Sequence, residues 1–578
     1  MFSPLDLFCL ITLASLAFVS AVPSRSRGVF ERDDCSHGPT TRGCWEDDFS
    51  ISTDFDTRFP HTGNTVSYTL DLTNGTCNRG GSGEKVCFFV NGESPGPIIR
   101  ATWGDILSVT VNNKLQHNAT SIHWHGIRQY NTPGEDGVNG ISSCAIAPGD
   151  SKTYTFPVTQ YGTGWYHSHT SAQYGDGVLG NLVFDGPASA NYDIDLGPYM
   201  VHEIYQDLTA FQVAAIAQQN LQEGTRSGFP TRSYILVNGT GMSPTSGRGN
   251  YNQVTITKGK KYRLRLLNAA IDSYIHVSLD QHAMEVIAAD FVPIKPFTTE
   301  WLLLAVGQRY DVVIDANQSP GNYWFRVVQG GGINAKADGG RAIWTYEGSN
   351  SRTPSTSPRR EFSEGLEPDM SPYWKQPVPS ASFQNTLDTK ITNAVVTPDG
   401  KSMVVWVLNK PIWIDYAQPT MGYIMDGNTS YPETYNVIDA RSGGNWNYWL
   451  IWTDPDKVSF DHPIHLHGHD FFVIGQGTGA YDEATAKLNW ETPVRRDTAN
   501  LPARGWLALA FMSNNPGAWL MHCHIAWHIG QGFGMQYVES PDQIVFPDRT
   551  EFAKTCDNYK AYANDKSKNV YPKHDSGL

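Results

Sequence analysis

The chain has 578 residues, of which 40% are hydrophobic, 12% aromatic and 17% charged, and its formal net charge is -14. This length exceeds what one hydrophobic core usually serves, so we expect several domains. The chain is acidic and its Lys and Arg residues are not clustered, which argues against nucleic acid as the natural partner.

An apolar segment opens the chain. Residues 7–19 are mostly apolar and are followed by the small residues Ser20 and Ala21, a pattern typical of a secretory signal peptide. We predict a signal peptide over residues 1–21 and a candidate propeptide over residues 22–33. No other segment is long and apolar enough to cross a bilayer. The sequence therefore predicts a secreted, extracellular protein without a membrane partner.

Glycosylation sequons agree with export. The N-x-[ST] pattern marks acceptors for N-linked glycans on secreted proteins. We expect glycans on some of the five sequons, at Asn74, Asn118, Asn238, Asn317 and Asn428.

Cysteine usage is consistent with an oxidising compartment. Of the eight cysteines, Cys9 lies in the signal peptide and Cys523 lies among histidines. The other six can pair in 15 ways. The local candidates are Cys35 with Cys44 and Cys77 with Cys87, and each of these pairs closes a glycine-containing loop. Cys144 and Cys556 then remain as a long-range pair.

Short β-branched and aromatic runs, separated by Gly, Asn, Asp and Pro, recur from residue 68 onward. Examples are "SVTVNN", "KTYTFPV", "RYDVVIDA", "NYWFRVV" and "WLALAFMS". This pattern predicts an all-β protein of sandwiches or barrels in series. The clearest helix candidates are residues 209–222 and the tail segment "RTEFAKTCDNYKAYAN".

Changes in composition divide the chain into domains. A Pro/Gly/Ala-rich link begins near residue 185, and residues 347–368 are rich in Ser, Thr and Pro. We predict a first β-domain over 34–185, a second over 186–346, a linker over 347–375 and a third domain over 376–578.

Four His-x-His doublets occur, and only the first and third predicted domains carry them. On a strand, residues two apart point to the same face, so each doublet offers two neighbouring imidazoles. Zinc takes three or four protein ligands, and eight histidines would need two or more zinc sites. Copper or iron suits imidazole-rich ligation better. The doublets are His123 and His125, His167 and His169, His465 and His467, and His522 and His524.

The stretch "MHCHIAWHIGQGFG" places a cysteine between two histidines. Because His522 and His524 share one face of a strand, Cys523 must face the other. A thiolate with two imidazoles is the arrangement of a blue copper site. His528 and His462 are placed to supply those imidazoles. A metal site at Cys523 that accepts one electron at a time, joined to a multi-metal cluster, suits the four-electron reduction of dioxygen to water.

The motifs "HWHG", "HSH", "HPIHLHGHDF" and "HCHIAWHIGQGF" closely resemble the copper-binding signatures of multicopper oxidases, and the wider chain resembles ascomycete-type laccases. The resemblance implies three cupredoxin-like domains of Greek-key topology and a phenol-oxidising reaction coupled to reduction of dioxygen. It also implies four copper ions per chain, held by a type 1 site, a type 2 site and a type 3 pair. The substrates implied are phenolic small molecules and dioxygen, and we expect a monomer.

The resemblance assigns ligands residue by residue. The type 1 copper would have His462, Cys523 and His528. The type 2 copper would have His123 and His465. The type 3 pair would have the remaining six histidines of the doublets: His125, His167, His169, His467, His522 and His524.

Further roles also come from the resemblance. Asp136 would relay protons near the type 2 copper, and Asp272 would accept the phenolic proton in the substrate pocket. Phe533 would be a non-coordinating axial neighbour of the type 1 copper. The family pattern agrees with a Cys144–Cys556 disulfide. It also suggests that the carboxylate of Leu578 plugs a solvent channel toward the type 3 coppers.

The chain departs from many relatives because its second domain lacks a cysteine pair. His469 is not a ligand in the family, and we expect it to be structural. Two other hypotheses stay open at this point. A ferroxidase on the same scaffold would prefer ferrous iron, and a copper-storing protein would need neither Cys523 nor two linked sites.

Overall fold

Strands joined by tight turns make up most of the chain. The structure is a computed structural model that describes residues 35–225, 233–330, 338–350, 352–358, 367–383, 385–395, 402–440, 444–453, 460–570 and 575–578. Residues Ser36–Leu578 form one compact unit, and Cys35 is the only described residue of the other unit, Met1–Cys35. The predicted signal peptide and propeptide therefore lie outside the described residues.

The first β-sandwich packs two four-stranded sheets around one core. Along β4, buried and more exposed residues alternate, as expected for a strand with one face on a core. The sheet orders are β2-β1-β4-β6 and β3-β8-β7-β5. The strands are β1 (Thr65–Cys77), β2 (Lys85–Val90), β3 (Gly96–Thr102), β4 (Ile106–Asn113), β5 (His123–His125), β6 (Ser151–Pro157), β7 (Gly162–His167) and β8 (Leu179–Asp185).

The second β-sandwich packs a six-stranded sheet, in the order β10-β9-β12-β17-β14-β15, on a five-stranded sheet, β11-β19-β18-β13-β16. Its described strands are β9 (Ile194–Tyr205), β10 (Ser233–Val237), β11 (Asn252–Ile256), β12 (Lys261–Asn268), β13 (Ile275–Leu279), β14 (Met284–Ala289), β15 (Val292–Thr299), β16 (Leu302–Leu304), β17 (Arg309–Asp315), β18 (Asn322–Gln329) and β19 (Asp338–Tyr346).

The third β-sandwich repeats this layout with the sheets β21-β20-β23-β28-β25-β26 and β22-β30-β29-β24-β27. Its described strands are β20 (Asn385–Val395), β21 (Ser402–Leu408), β22 (Val437–Ala440), β23 (Trp446–Thr453), β24 (His462–Leu466), β25 (Phe471–Thr478), β26 (Val494–Arg496), β27 (Thr498–Leu501), β28 (Gly505–Met512), β29 (Gly517–Cys523) and β30 (Gly534–Glu539).

Both predicted helices are confirmed. Helix α1 (Ala210–Glu223) begins after Thr209, whose side chain accepts from the Gln212 backbone N–H in a capping box. Helix α4 (Arg549–Asn564) is capped by Asp548. Two short helices, α2 (Thr420–Met425) and α3 (Ala526–Gly530), lie between them in the chain. Short 3₁₀ turns cover Arg79–Gly81, Pro133–Glu135, Gln173–Asp176, Glu433–Tyr435 and Pro541–Gln543.

No helix within the described ranges has the length and apolar character needed to cross a membrane. The Cys77–Cys87 and Cys144–Cys556 disulfides are present, and Cys35 and Cys44 are also half-cystines. The long-range bridge ties α4 to a loop of the first sandwich. The all-β class with three cupredoxin-like domains is confirmed, while the predicted domain boundaries stay predictions.

Candidate metal centre

Two antiparallel strand pairs bring the histidine doublets to one place. In the first sandwich β5 pairs with β7, which sets His123 opposite His167. In the third, β24 pairs with β29, which sets His465 opposite His522. Each sandwich therefore presents histidines from two adjacent strands.

Only one doublet lies wholly within a strand, contrary to the prediction that all four do. His123 and His125 span β5, whereas the second histidine of each other doublet lies just beyond the end of its strand. Those histidines are His169, His467 and His524. The rings of each doublet nevertheless stay close, with centroid separations of 4.7–5.8 Å.

The eight imidazoles form one buried cluster between the first and third sandwiches. All are at most 4% exposed. The ring centroids of His123 and His467 are 3.9 Å apart, as are those of His125 and His465. Three triplets have ligand atoms within 4.8 Å of one another: His123, His125 and His167; His123, His465 and His467; and His169, His467 and His522. Residues as far apart in the chain as His125 and His524, which are separated by 399 positions, thus meet at one centre.

Backbone carbonyls fix which ring nitrogens face this centre. His123 Nδ1 donates to the Asp136 carbonyl at 2.8 Å, and His465 Nδ1 donates to the Asp497 carbonyl at 2.8 Å. His167 Nδ1 donates to the Ser168 carbonyl at 3.1 Å. A carbonyl only accepts, so each of these imidazoles carries its proton on Nδ1 and keeps a lone pair on Nε2.

The Nε2 atoms of His123, His167 and His465 are buried, and within the described residues they have no hydrogen-bond partner. Buried polar atoms are normally satisfied, so such a convergence calls for an additional group. Burial also lowers the pKa of His167 and His465 well below the ordinary value, which keeps these rings neutral. Neutral imidazole lone pairs suit copper, and the residues therefore fit a cluster of copper ions.

Two buried carboxylates support the cluster. Asp136 Oδ2 accepts from His467 Nδ1 at 2.9 Å, and its Oδ1 lies 3.2 Å from His123 Nδ1. Asp497 Oδ1 accepts from His125 Nε2 at 3.1 Å. Such outer carboxylates fix the tautomer of a ligand and raise its basicity. The resemblance to multicopper oxidases pointed to Asp136, whereas Asp497 in "RRDT" belongs to no metal motif and was missed.

A second group of potential ligands lies on the other side of β29. Cys523 is fully buried, and its Sγ lies 3.6 Å from His462 Nδ1 and 3.6 Å from His528 Nδ1. Burial raises the pKa of the Cys523 thiol and lowers the pKa of His462 to about 3. A thiol in this setting stays protonated unless a metal ion binds the sulfur, in which case the proton is released to solvent or to a nearby base. His528 lies on α3.

The two groups are joined by one strand. Cys523 is flanked by His522 and His524, whose rings lie in the eight-histidine cluster. In addition, His522 Nδ1 donates to the Cys523 carbonyl at 2.9 Å. The thiol and the cluster are therefore linked both by the peptide chain and by a hydrogen bond.

Phe533 lies beside the cysteine group. Its ring is buried and its centroid is 4.9 Å from that of His462 and 6.3 Å from that of His528. Its backbone N–H donates to the His528 carbonyl, and its carbonyl accepts from the Cys523 N–H. The side chain presents only carbon atoms to this site.

Asp272 lies in the loop between β12 and β13 and is 7% exposed. The carbonyl of the preceding residue, Ile271, accepts from the Ala526 backbone N–H on α3 at 3.1 Å. This hydrogen bond couples the Asp272 loop to the helix that carries His528, which is also 7% exposed. The acid and the histidine are therefore on neighbouring segments.

The structure also defines the surroundings of His469 and of Leu578. His469 Nδ1 lies 3.1 Å from the His467 carbonyl, and its Nε2 lies 3.4 Å from Glu539 Oε2, away from the three histidine triplets. Leu578 is 2% exposed and packs in a cluster that includes Val138. The Tyr416 hydroxyl donates to the Gly577 carbonyl.

Three multicopper oxidase family models match the chain, over residues 71–189, 199–349 and 406–543. The chain is 42% identical to a laccase of Neurospora crassa over 575 residues, covering 94% of this chain and 89% of the relative. It is 42% identical to laccase-1 of Melanocarpus albomyces over 584 residues, covering 95% of this chain and 90% of the relative.

Comparison with solved structures gives the same result as the comparison of sequences. The crystal structure of the laccase from Botrytis aclada superposes with a TM-score of 0.85 at 38% identity, covering 94% of this chain and 100% of that one. The chain thus belongs to the multicopper oxidase family. Within that family it groups with the ascomycete-type laccases, as the sequence motifs predicted.

Proposed function

We propose that this enzyme is a secreted laccase that oxidises phenolic molecules by single electrons at a type 1 copper and reduces dioxygen to water at a trinuclear cluster. The observation that carries the proposal is the position of Cys523, which contacts His462 and His528 on one side and is bonded to the eight-histidine cluster on the other.

The ligand assignment is part of this proposal. Cys523, His462 and His528 would hold the type 1 copper, and His123 and His465 the type 2 copper. The type 3 pair would be held by His125, His167, His169, His467, His522 and His524. This gives four copper ions per chain, which would supply one-electron redox chemistry at the thiolate site and dioxygen reduction at the cluster.

The chain's own groups account for substrate oxidation. Asp272 accepts the phenolic proton as the electron leaves toward His528, which avoids a high-energy phenol radical cation. Their coupling through the Ile271 carbonyl and the Ala526 N–H supports this pairing. With copper bound at both sites, β29 would supply the path for these electrons from Cys523 to His522 and His524.

Asp136 supports the proposed cluster site, and Phe533 borders the proposed type 1 site. Asp136 accepts a hydrogen bond from His467 and lies beside His123, which supports a role in delivering protons to the cluster. Phe533 would exclude water from the copper held by His462, Cys523 and His528 and offers no coordinating atom, which would favour the reduced metal and a high potential.

Secretion would bring glycosylation with it. Asn428 and Asn317 are exposed. In contrast, the Asn238 amide donates to the Pro198 carbonyl at 3.0 Å and accepts from the Met200 N–H at 2.8 Å. We therefore propose that glycans occupy Asn428 and Asn317 before Asn238.

The test is a copper count, a visible and EPR spectrum, and dioxygen uptake with a phenol or with ferrous iron as the electron donor. We expect four copper ions, an intense blue band and preference for the phenol. Cys523→Ser should bleach the blue band and stop turnover while the histidine cluster still binds copper. A blue, active Cys523→Ser protein would contradict the assignment, and a preference for iron would indicate a ferroxidase.

A further inference from the structure

The loop that carries Asp272 is held at three of its backbone carbonyls. The Tyr174 hydroxyl donates to the Ala270 carbonyl at 3.2 Å, and the Ala526 N–H donates to that of Ile271 at 3.1 Å. The Asn268 side-chain amide donates to the Ser273 carbonyl at 3.0 Å. These bonds fix the carbonyls of the loop and leave the N–H groups near Asp272 to another partner.

That partner is Glu203 on β9, which is fully buried. Its Oε2 accepts from the backbone N–H of Asp272 and from that of Ser273, each at 3.2 Å. Its Oε1 accepts from the hydroxyls of Ser233 at 2.6 Å and Ser273 at 3.0 Å, and from the Gln329 amide at 2.9 Å. Five donors thus converge on one carboxylate.

Such a carboxylate is costly to bury unless its hydrogen bonds stabilise it. Burial raises the pKa of Glu203, and the hydrogen bonds from Ser233 and Ser273 act in the opposite direction. Among the described residues, all five of its hydrogen-bond donors are neutral groups. None of these five donors belongs to a proposed copper ligand, and three of them belong to Asp272 and Ser273 of the loop.

We propose that Glu203 is a positioning residue that holds the Asp272 carboxylate at a fixed place beside His528, so that phenols lose a proton and an electron together. This inference rests on the proposed function. In the step concerned, the phenolic O–H bond would break, its proton would go to Asp272, and one electron would go through His528 to the oxidised copper that His462, Cys523 and His528 would hold. The product is a neutral phenoxyl radical.

The change Glu203→Gln tests the idea with little change in shape. It replaces one acceptor oxygen by an NH₂ group, which then faces donors and leaves at least one of them unpaired. The Asp272 loop is then held less firmly, so an electron-donating substrate that must release a proton is oxidised more slowly. Glu203→Asp keeps the carboxylate on a shorter side chain and should therefore retain part of the activity with the phenol.

Asp176 offers a matched control. It too is a buried carboxylate that accepts from two consecutive backbone N–H groups, those of Ala210 at 2.7 Å and Phe211 at 3.3 Å, but these lie at the start of α1. Asp176→Asn therefore perturbs a similar capping arrangement without removing an acceptor from the N–H groups of the Asp272 loop.

The experiment compares kcat/KM of the copper-loaded enzymes for 2,6-dimethoxyphenol and for ABTS, which has no phenolic proton. For Glu203→Gln we expect a loss of about 10–100-fold with the phenol, and a change within about threefold with ABTS. Glu203→Asp should fall between, and Asp176→Asn should keep the wild-type ratio of the two donors. The blue absorption should stay the same in all three.

Amide hydrogen exchange supplies a readout that does not depend on turnover. Peptides covering residues 268–276 should exchange faster in Glu203→Gln than in the wild type or Asp176→Asn. Equal slowing of both donors, or unchanged exchange in this segment, would overturn the positioning role. Failure of the wild-type enzyme to oxidise either donor would instead overturn the proposed function.

Discussion

Arg309 is the buried cation that connects all three sandwiches beneath the histidine cluster. Its Nε donates to the Thr163 carbonyl of the first sandwich at 3.0 Å. The guanidinium of this second-sandwich residue binds both oxygens of Asp497 in the third, at 2.7 and 2.6 Å. Asp497 in turn accepts from His125. Replacing Arg309 by Met should therefore weaken both the domain assembly and the metal cluster.

The size of the effect follows from the local charges. Arg309 and Arg496 are both fully buried and lie among Asp290, Asp497 and Glu367. Without Arg309, one cation faces three carboxylates. Removing one partner of a buried ion pair costs about 3–5 kcal/mol, because the remaining charge is left without compensation. We expect a loss of folding stability of this size in Arg309→Met.

Chemical denaturation and copper analysis measure the two consequences. Because a three-domain chain need not unfold in one step, transitions should be followed by fluorescence and by the blue absorption together. Arg326→Met is the matched control, since Arg326 binds Asp280 through two bonds of 2.7 and 2.9 Å within the second sandwich. It should lose stability but keep its copper, whereas Arg309→Met should also lose copper from the cluster. Wild-type copper content and stability in Arg309→Met would refute the reasoning.

Three further changes probe other parts of the structure. Asp272→Asn should slow 2,6-dimethoxyphenol far more than ABTS in steady-state assays, and equal slowing would argue against a proton-accepting role. Phe533→Met should lower the potential of the proposed type 1 copper in a redox titration while the copper content stays that of the wild type, because a thioether would stabilise the oxidised metal; an unchanged or raised potential would show that Phe533 does not border this metal. Burial raises the pKa of Asp176 from 3.8 to about 6, so the folded state binds this proton more tightly and stability falls as pH rises between these values. Asp176→Asn should remove about 3 kcal/mol of that fall in denaturation series at pH 4–7, and identical pH profiles for the two proteins would contradict it.

Local patterns were enough to predict much of the fold. The runs "SVTVNN" and "NYWFRVV" lie in β4 and β18, and Thr209 caps α1 where the helix was expected. Alternation and capping act over a few residues, so the sequence displays them directly. The histidine spacing was informative for the same reason, because it is short and repeated.

The supporting residues could not be predicted in this way. His125 and Asp497 are 372 positions apart, and Glu203 meets Gln329 across 126 positions. Each acid is an ordinary residue in its own segment, and only the packing of sheets gives it a partner. Likewise, nothing in the doublet spacing shows that His169, His467 and His524 lie past the ends of their strands.

The cysteine and the two histidines beside it impose a strict condition on β29. Side chains alternate between the two faces of a strand, so a one-residue insertion before Cys523 would send the thiol toward the cluster and an imidazole toward His462. The same strand also carries the Cys523 carbonyl that fixes His522. Within the cluster, Arg309 and Asp497 hold His125 in place across the three sandwiches. The contacts that join the sandwiches therefore also hold a histidine of the cluster, and a change that loosens one should loosen the other.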